Sequence, residues 1–249
     1  GPVFGPAGGA AGGRRAGRPV RDTVNGKFWF DQSAGDIQFF NQRSEQIYGG
    51  VSMAKNIEPK LKKIGDYLKL EEDTVFTIPE YQRAYSWGVD NCDKLWQDIN
   101  GFVESESKDR YFFGTIIINC QDNDTKYGLI DGQQRTTTFL LLLKALLVRI
   151  NVAINRTSND EDSASLCRGL QERRRRIMGI LYKAETEDIS DKPDVAKDAE
   201  ICCREIILEN YSINEQYKTE LATILQATDF DSAEARVTKI KYKQKDNRY

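Results

Sequence analysis

Hydrophobic and polar positions alternate unevenly along the chain, and the densest apolar run is Phe139 to Ile150. It is apolar on nearly every side, which predicts a helix buried in a core rather than one lying on a surface. Leu129 and Ile130 end a short strand just before it, and Asp131 to Arg135 forms a polar elbow between strand and helix. Upstream, Ile57, Leu61, Ile64 and Leu68 fall on one helical face with Lys60, Lys62, Lys63 and Lys69 mostly away from it, so an amphipathic helix is expected there. Thr74 to Ile78 predicts a strand that Pro79 ends. Leu95, Ile99, Phe102 and Val103 give the next helix its apolar face, with Asp90 or Asn91 as the cap. Arg110 to Asn119 reads as a strand buried on both faces, and Gly114 within it as a bulge or a close backbone approach where a ligand could lie. Gln121 to Thr125 is the expected hairpin turn and Lys126 to Ile130 the returning strand.

After Ile150 the pattern changes. Asn151 to Ser165 is polar and reads as a loop, and Leu166, Leu170, Ile177, Ile180 and Leu181 fit a helix. That helix carries Arg173, Arg174, Arg175 and Arg176, a run that wraps round a helix and is expected to be a solvated face rather than a DNA patch. Residues 194–210, 213–228 and 231–241 predict further helices, with Cys202 and Cys203 as small core residues. At the other end, residues 1–21 are rich in Gly, Ala and Arg and predict a flexible tail; Arg14, Arg15, Arg18 and Arg21 leave a DNA contact open. Phe28-Trp-Phe30, Phe39-Phe40 and Tyr48 are expected to pin the following segment onto its own domain, and Gly49-Gly50 to turn. The expected division is a tail (1–23), an extension (24–56), a sheet domain (57–150) and a helical region (151–249), with truncation before a downstream domain left open. The fold class is α+β: a small mixed sheet with flanking helices, followed by a mostly helical region.

Composition narrows the chemistry. The 249 residues carry a net charge of −2, so the chain as a whole is not an electrostatic nucleic-acid binder, and DNA contact would need a local patch. It has no histidine, which removes a Ser-His-Asp triad, a Cys-His pair, an HNH-type nuclease centre and histidine metal sites. The odd count of five cysteines, without Cys-x-x-Cys spacing, points to a reduced, cytoplasmic compartment. No membrane partner is expected, since the Phe139–Ile150 run is short and Lys144 and Arg149 interrupt it.

The elbow has its own logic. The first turn of a helix leaves N–H groups unpaired and carries partial positive charge. Gly132 lets another group approach the backbone, Arg135 adds a planar fork suited to phosphate, and Thr136, Thr137 and Thr138 add hydroxyls. Asp131 could orient Arg135, hold a metal or position a water. Equally, Asp131 with Gln134 three residues on is a capping-box pattern, and a capped helix start can still bind an anion. The loop Pro79 to Trp87 offers a facing wall: Arg83 for phosphate, Tyr81 to stack on a base and Gln82 to read a polar edge, with Tyr85 and Trp87 packing inward.

Three segments in this order, Thr77-Ile-Pro-Glu-Tyr-Gln-Arg-Ala-Tyr-Ser-Trp87, Phe112-Phe-Gly-Thr-Ile116 and Ile130-Asp-Gly-Gln-Gln-Arg-Thr-Thr-Thr138, resemble the N-terminal domain of GmrSD-type, modification-dependent restriction enzymes, a family similar in fold to ParB and sulfiredoxin. The resemblance covers Ile57 to Ile150 and more loosely the helices beyond. It implies a nucleotide-binding, often NTP-hydrolysing regulatory domain of a defence system that senses modified DNA, with a nuclease domain or subunit outside these residues. In that reading Asp131, Gln133, Gln134 and Arg135 serve catalysis, and Tyr81, Gln82, Arg83, Gly132, Arg135, Thr136 and Thr137 bind the nucleotide. The cofactor would be an NTP (GTP, ATP or another) with magnesium on Asp131. Phosphoryl transfer needs positioning and charge neutralisation, which these residues offer without histidine. No Gly-x-x-x-x-Gly-Lys-Ser/Thr loop is present. Two other readings remain: a non-enzymatic DNA-binding module, and a scaffold that controls a separate nuclease.

Overall fold

The computed structural model describes residues 36–43, 57–71, 73–105, 111–121, 125–157, 163–204 and 206–239. The arginine-rich tail, Phe28-Trp-Phe30, Tyr48 and Gly49-Gly50 lie outside these residues. The fold is α+β, with one mixed six-stranded sheet and seven α-helices among the described residues.

In chain order the elements are β1 (Asp36–Arg43), β2 (Ile57–Lys63), α1 (Ile64–Leu68), β3 (Val75–Ile78), α2 (Val89–Glu104), β4 (Phe112–Gln121), β5 (Lys126–Asp131), α3 (Gln133–Thr157), α4 (Ala164–Tyr182), α5 (Val195–Arg204), β6 (Leu208–Asn210), α6 (Glu215–Gln226) and α7 (Phe230–Val237). The strands lie in the order β2-β1-β4-β5-β3-β6. β1 runs antiparallel to β2 and parallel to β4, and β4 and β5 are antiparallel. β3 is parallel to both β5 and β6. The sheet therefore takes strands from before residue 57 and after residue 150.

One face of the sheet is the core. Phe76, Ile78, Ile116, Ile118, Cys120 and Leu129 are buried against Phe139, Leu140, Leu143 and Leu147 of α3, and the same core reaches Met178 and Leu181 of α4 and Leu221 and Leu225 of α6. Burial alternates along Ile116–Cys120, so the other face is only partly covered.

Several expectations are corrected. Ile57–Lys63 is an edge strand, not the start of an amphipathic helix; only Ile64–Leu68 is helical. Pro59 disfavours a helix interior, and Leu61 is 58% exposed, so no apolar helical face is buried there. Lysines on this edge suit a strand that must not pair further. Residues 36–43, expected to belong to an extension outside the sheet domain, form β1. The polar stretch after Ile150 is not a loop throughout: α3 continues to Thr157 and α4 begins at Ala164. At 25 residues α3 is long and apolar enough to cross a membrane, so the length argument fails. Here its apolar side chains pack on the sheet and on α4 instead. Helix α2 is capped by Gly88, whose N–H donates to Asn91 Oδ1. The predicted helix over 194–210 stops at Arg204 and gives way to β6.

Within the arginine run on α4, Arg174 departs from the expected solvated face, while Arg176 is exposed and Arg173 and Arg175 are partly so. Arg174 is fully buried, donating to Asn151 Oδ1, to the Ser190 carbonyl and to Asp198. Arg175 pairs with Asp191, Arg176 with Glu172, and Arg173 donates to the Gly169 carbonyl. Of the two adjacent cysteines, Cys202 is buried and Cys203 exposed; all five are free.

Candidate functional site

The elbow forms where β5 ends at Asp131 and α3 begins at Gln133. Gly132 between them has φ +89°, and a Cβ there would lie 2.8 Å from Ile116 Cγ1, so the turn requires glycine on both counts. The Gly132 carbonyl accepts the first helical bond, from Thr136 N–H. The capping box does not form. Gln134 turns to the facing loop instead of back to Asp131, and the Asp131 carboxylate accepts from its neighbour Gly132 N–H at 2.8 Å.

The loop after β3 is fastened to this elbow by three glutamines. Gln82 Nε2 donates to the Leu129 and Ile130 carbonyls at 3.0 and 2.7 Å. Gln133 Nε2 donates to the Arg83 carbonyl at 2.9 Å. Gln134 bridges both ways, donating to the Ala84 carbonyl and accepting from Ser86 N–H at 2.7 Å. The amide, with a donor and an acceptor at one tip, suits this pairing with backbone. Tyr81 to Ser86 and Asp131 to Arg135 thus meet at one end of the sheet, as two strands ending side by side allow.

What the contacts leave free differs residue by residue. Gln133 and Gln134 are buried, their amides engaged with the protein. Yet Gln133 Oε1 is buried without a hydrogen-bond partner among the described residues. Asp131 and Arg83 are exposed, and neither has an ion pair among the described residues. Arg135 is half-buried. It does not pair with Asp131; its guanidinium donates to the Thr115 carbonyl and lies over Gly114, where a Cβ would sit 2.6 Å from Nη1. The bulge at Gly114, φ +101°, therefore admits Arg135 rather than a ligand.

The threonines face inward. Thr136 Oγ1 bonds the Gly132 carbonyl and Tyr67 OH, Thr137 Oγ1 bonds Tyr217 OH at 2.8 Å, and Thr138 Oγ1 bonds Tyr85 OH at 2.9 Å. Burial pushes the Tyr67 phenol well above its ordinary value, with the Thr136 bond and nearby Arg135 acting against it. Burial likewise pushes Tyr85 up to about 12. Tyr85 packs on Tyr217, as the inward role predicted for it requires. Sequence reasoning missed Tyr67 and Tyr217, which come from distant elements and share no motif with the elbow.

Tyr81 points elsewhere. It is 73% exposed and lines a cleft of about 260 Å³ with Thr77, Asn119, Lys126, Gly128 and Tyr211. Neither Arg83 nor the elbow residues line it.

For magnesium, the elbow supplies one exposed carboxylate, Asp131; among the described residues no group of three or more Cys, Asp or Glu is placed to hold a metal ion. That donor set fits an ion carried in by phosphates, which needs one or two protein carboxylates, and not an all-protein cage.

A mixed sheet whose β5–α3 elbow is clasped by the polar loop after β3 defines an α+β domain with a polar rim at one sheet end. The family of GmrSD restriction endonuclease N-terminal domains matches residues 64–248, and the chain belongs to that family. It is thus a restriction-system domain. No curated protein matches the chain.

Proposed function

We propose that the elbow binds the phosphates of a nucleoside triphosphate, and that nucleotide binding regulates a nuclease domain or subunit outside this chain in response to DNA. The carrying observation is the pair of exposed charges, Arg83 and Asp131, neither in an ion pair among the described residues, at a rim where part-buried glutamine bonds to backbone hold the loop against the elbow. These bonds hold the backbone, so the charged tips meet a ligand with less ordering still to be done. Arg83 neutralises phosphate, the first-turn N–H groups of α3 and the remaining Arg135 donors face the same charge, and Asp131 takes a phosphate-borne magnesium. In the first reading the bound nucleotide is hydrolysed, with positioning and charge neutralisation by these groups in place of covalent chemistry.

Binding without turnover is the second reading. Gln133 and Gln134 are engaged in clasping the loop, which removes two of the four groups expected to act on the substrate. Thermal shift of the purified chain with GTP, ATP, CTP and UTP, each with and without magnesium, tests binding, and phosphate release separates the two readings. A rise in Tm with at least one NTP, lost in Arg83→Ala, is expected. No shift with any NTP would remove the proposal.

A further inference from the structure

Three glycines sit on β4, β5 and the turn after it, and two are explained by the fold. Gly114 and Gly132 have positive φ and stand against Arg135 and Ile116. Gly128 has neither reason. Its φ is not positive, and a Cβ there would meet its nearest neighbour, the Asn119 carbonyl, at 3.4 Å, an ordinary contact. Glycine inside a strand costs stability and marks a place where another group comes close to the backbone.

That place is the floor of the Tyr81 cleft. Thr77, Gly128 and Asn119 lie side by side across β3, β5 and β4 in direct register, on the face opposite Phe76, Leu129 and Ile118. Two exposed aromatic rings stand at the cleft, Tyr81 at 73% and Tyr211 at 44% exposure. Tyr211 is held: its hydroxyl donates to Glu209, and Lys126 lies over its ring at 5.8 Å while pairing with Glu209 at 3.7 Å. Asn119 Oδ1 is buried and has no hydrogen-bond donor among the described residues. A bare floor, aromatic walls and one unmet acceptor ask for a flat ring bearing an N–H.

We infer that this cleft binds a nucleobase, stacked against Tyr81 and Tyr211 over Gly128, with a ring or exocyclic N–H donating to Asn119. The identity of the ring rests on the nucleotide reading above; the location does not, since the cleft shares no lining residue with the elbow's charges. The base belongs either to the nucleotide at the elbow or to an unpaired residue of a DNA strand. Both present the same flat, N–H-bearing face, and sequence-tolerant stacking on tyrosine serves either.

The test uses the full chain and three probes: an NTP, inorganic tripolyphosphate, and a short single-stranded DNA oligonucleotide. Gly128→Val fills the floor, and Tyr81→Ala removes an exposed wall that contributes nothing to the core. Each is expected to weaken a base-bearing probe about tenfold or more, as loss of one base–aromatic stack does, and to leave tripolyphosphate binding unchanged. Whichever of NTP or oligonucleotide loses affinity identifies the source of the base. If the wild type binds an NTP or the oligonucleotide and both variants retain that affinity, the cleft assignment is overturned, while nucleotide binding at the elbow stands wherever the retained probe is the NTP. If wild-type chain binds neither base-bearing probe, both are overturned.

Discussion

The elbow and the arginine run of α4 look alike in sequence, each a dense stretch of groups suited to phosphate, yet the fold uses them in opposite ways. On α4 each arginine has an intramolecular partner, and Arg174 is buried with Asp198, Asn151 and the Ser190 carbonyl around it. At the elbow the neutral amides take the part-buried bonds to backbone, and the charged tips of Arg83 and Asp131 stay exposed without an ion pair among the described residues. Density of charge does not mark a binding surface. Charge left without an ion pair on a backbone that polar side-chain bonds already hold is the better mark.

The largest effect should come from the paired region. Arg174→Ala leaves the buried Asp198 carboxylate without its cation and should cost about 3–5 kcal/mol, enough to unfold a marginal domain. Urea denaturation of wild type and variant measures it. A loss under about 1 kcal/mol would mean that Asp198 finds water or another partner, and that this region is less closed than its burial indicates.

The clasp should respond less in stability and more in binding. Gln134→Ala strands Ser86 N–H and the Ala84 carbonyl at a partly wet site, for a loss of about 1–2 kcal/mol. The loop bearing Arg83 is then held only by the Gln82 and Gln133 bonds, so nucleotide affinity should fall although the Gln134 amide is taken up by backbone groups. Melting and nucleotide titration of the same sample give both numbers; lower stability with unchanged affinity would make the clasp purely structural.

The smallest effect is on pH dependence. Burial raises the phenols of Tyr67, Tyr85, Tyr182 and Tyr217 above their ordinary value near 10. Their contribution to stability is therefore complete below about pH 10 and is lost as pH climbs through the raised folded values, about 12 for Tyr85. Buried Lys144, whose ammonium burial disfavours, acts the other way: the unfolded chain holds that proton to higher pH, so stability gains as pH rises toward the ordinary lysine value. The melting temperature should fall above about pH 10, and less steeply in Tyr85→Phe, which keeps the stack on Tyr217. Identical slopes for the two proteins would show that Tyr85 does not titrate with folding.

Much of this architecture can be read from residues, and the failures have physical causes. The apolar density of Phe139–Ile150 made α3 unmistakable, and Pro79 fixed the end of β3. Ile57, Leu61, Ile64 and Leu68 fit a helical spacing, yet Ile57, Pro59 and Leu61 also alternate with Glu58, Lys60 and Lys62, and a proline in the middle argued against a helix and for an edge strand. β6 spans Leu208–Asn210 only, too few residues to carry a period. In the site, the motif located the elbow and the facing loop, but a glutamine reads the same whether its amide meets a ligand or a carbonyl. Only the partners decide, and they placed Gln133 and Gln134 in the clasp and Arg135 on Thr115.

The most direct test of the account is a double-mutant cycle on nucleotide affinity with Arg83→Ala, Arg135→Ala and the pair, titrating one NTP in the presence of magnesium. If both guanidinium groups meet the same phosphates, the two losses are non-additive, with a coupling energy of about 0.5–3 kcal/mol. Losses that sum to within about 0.3–0.5 kcal/mol, the behaviour of independent sites, would contradict a shared phosphate site at the elbow.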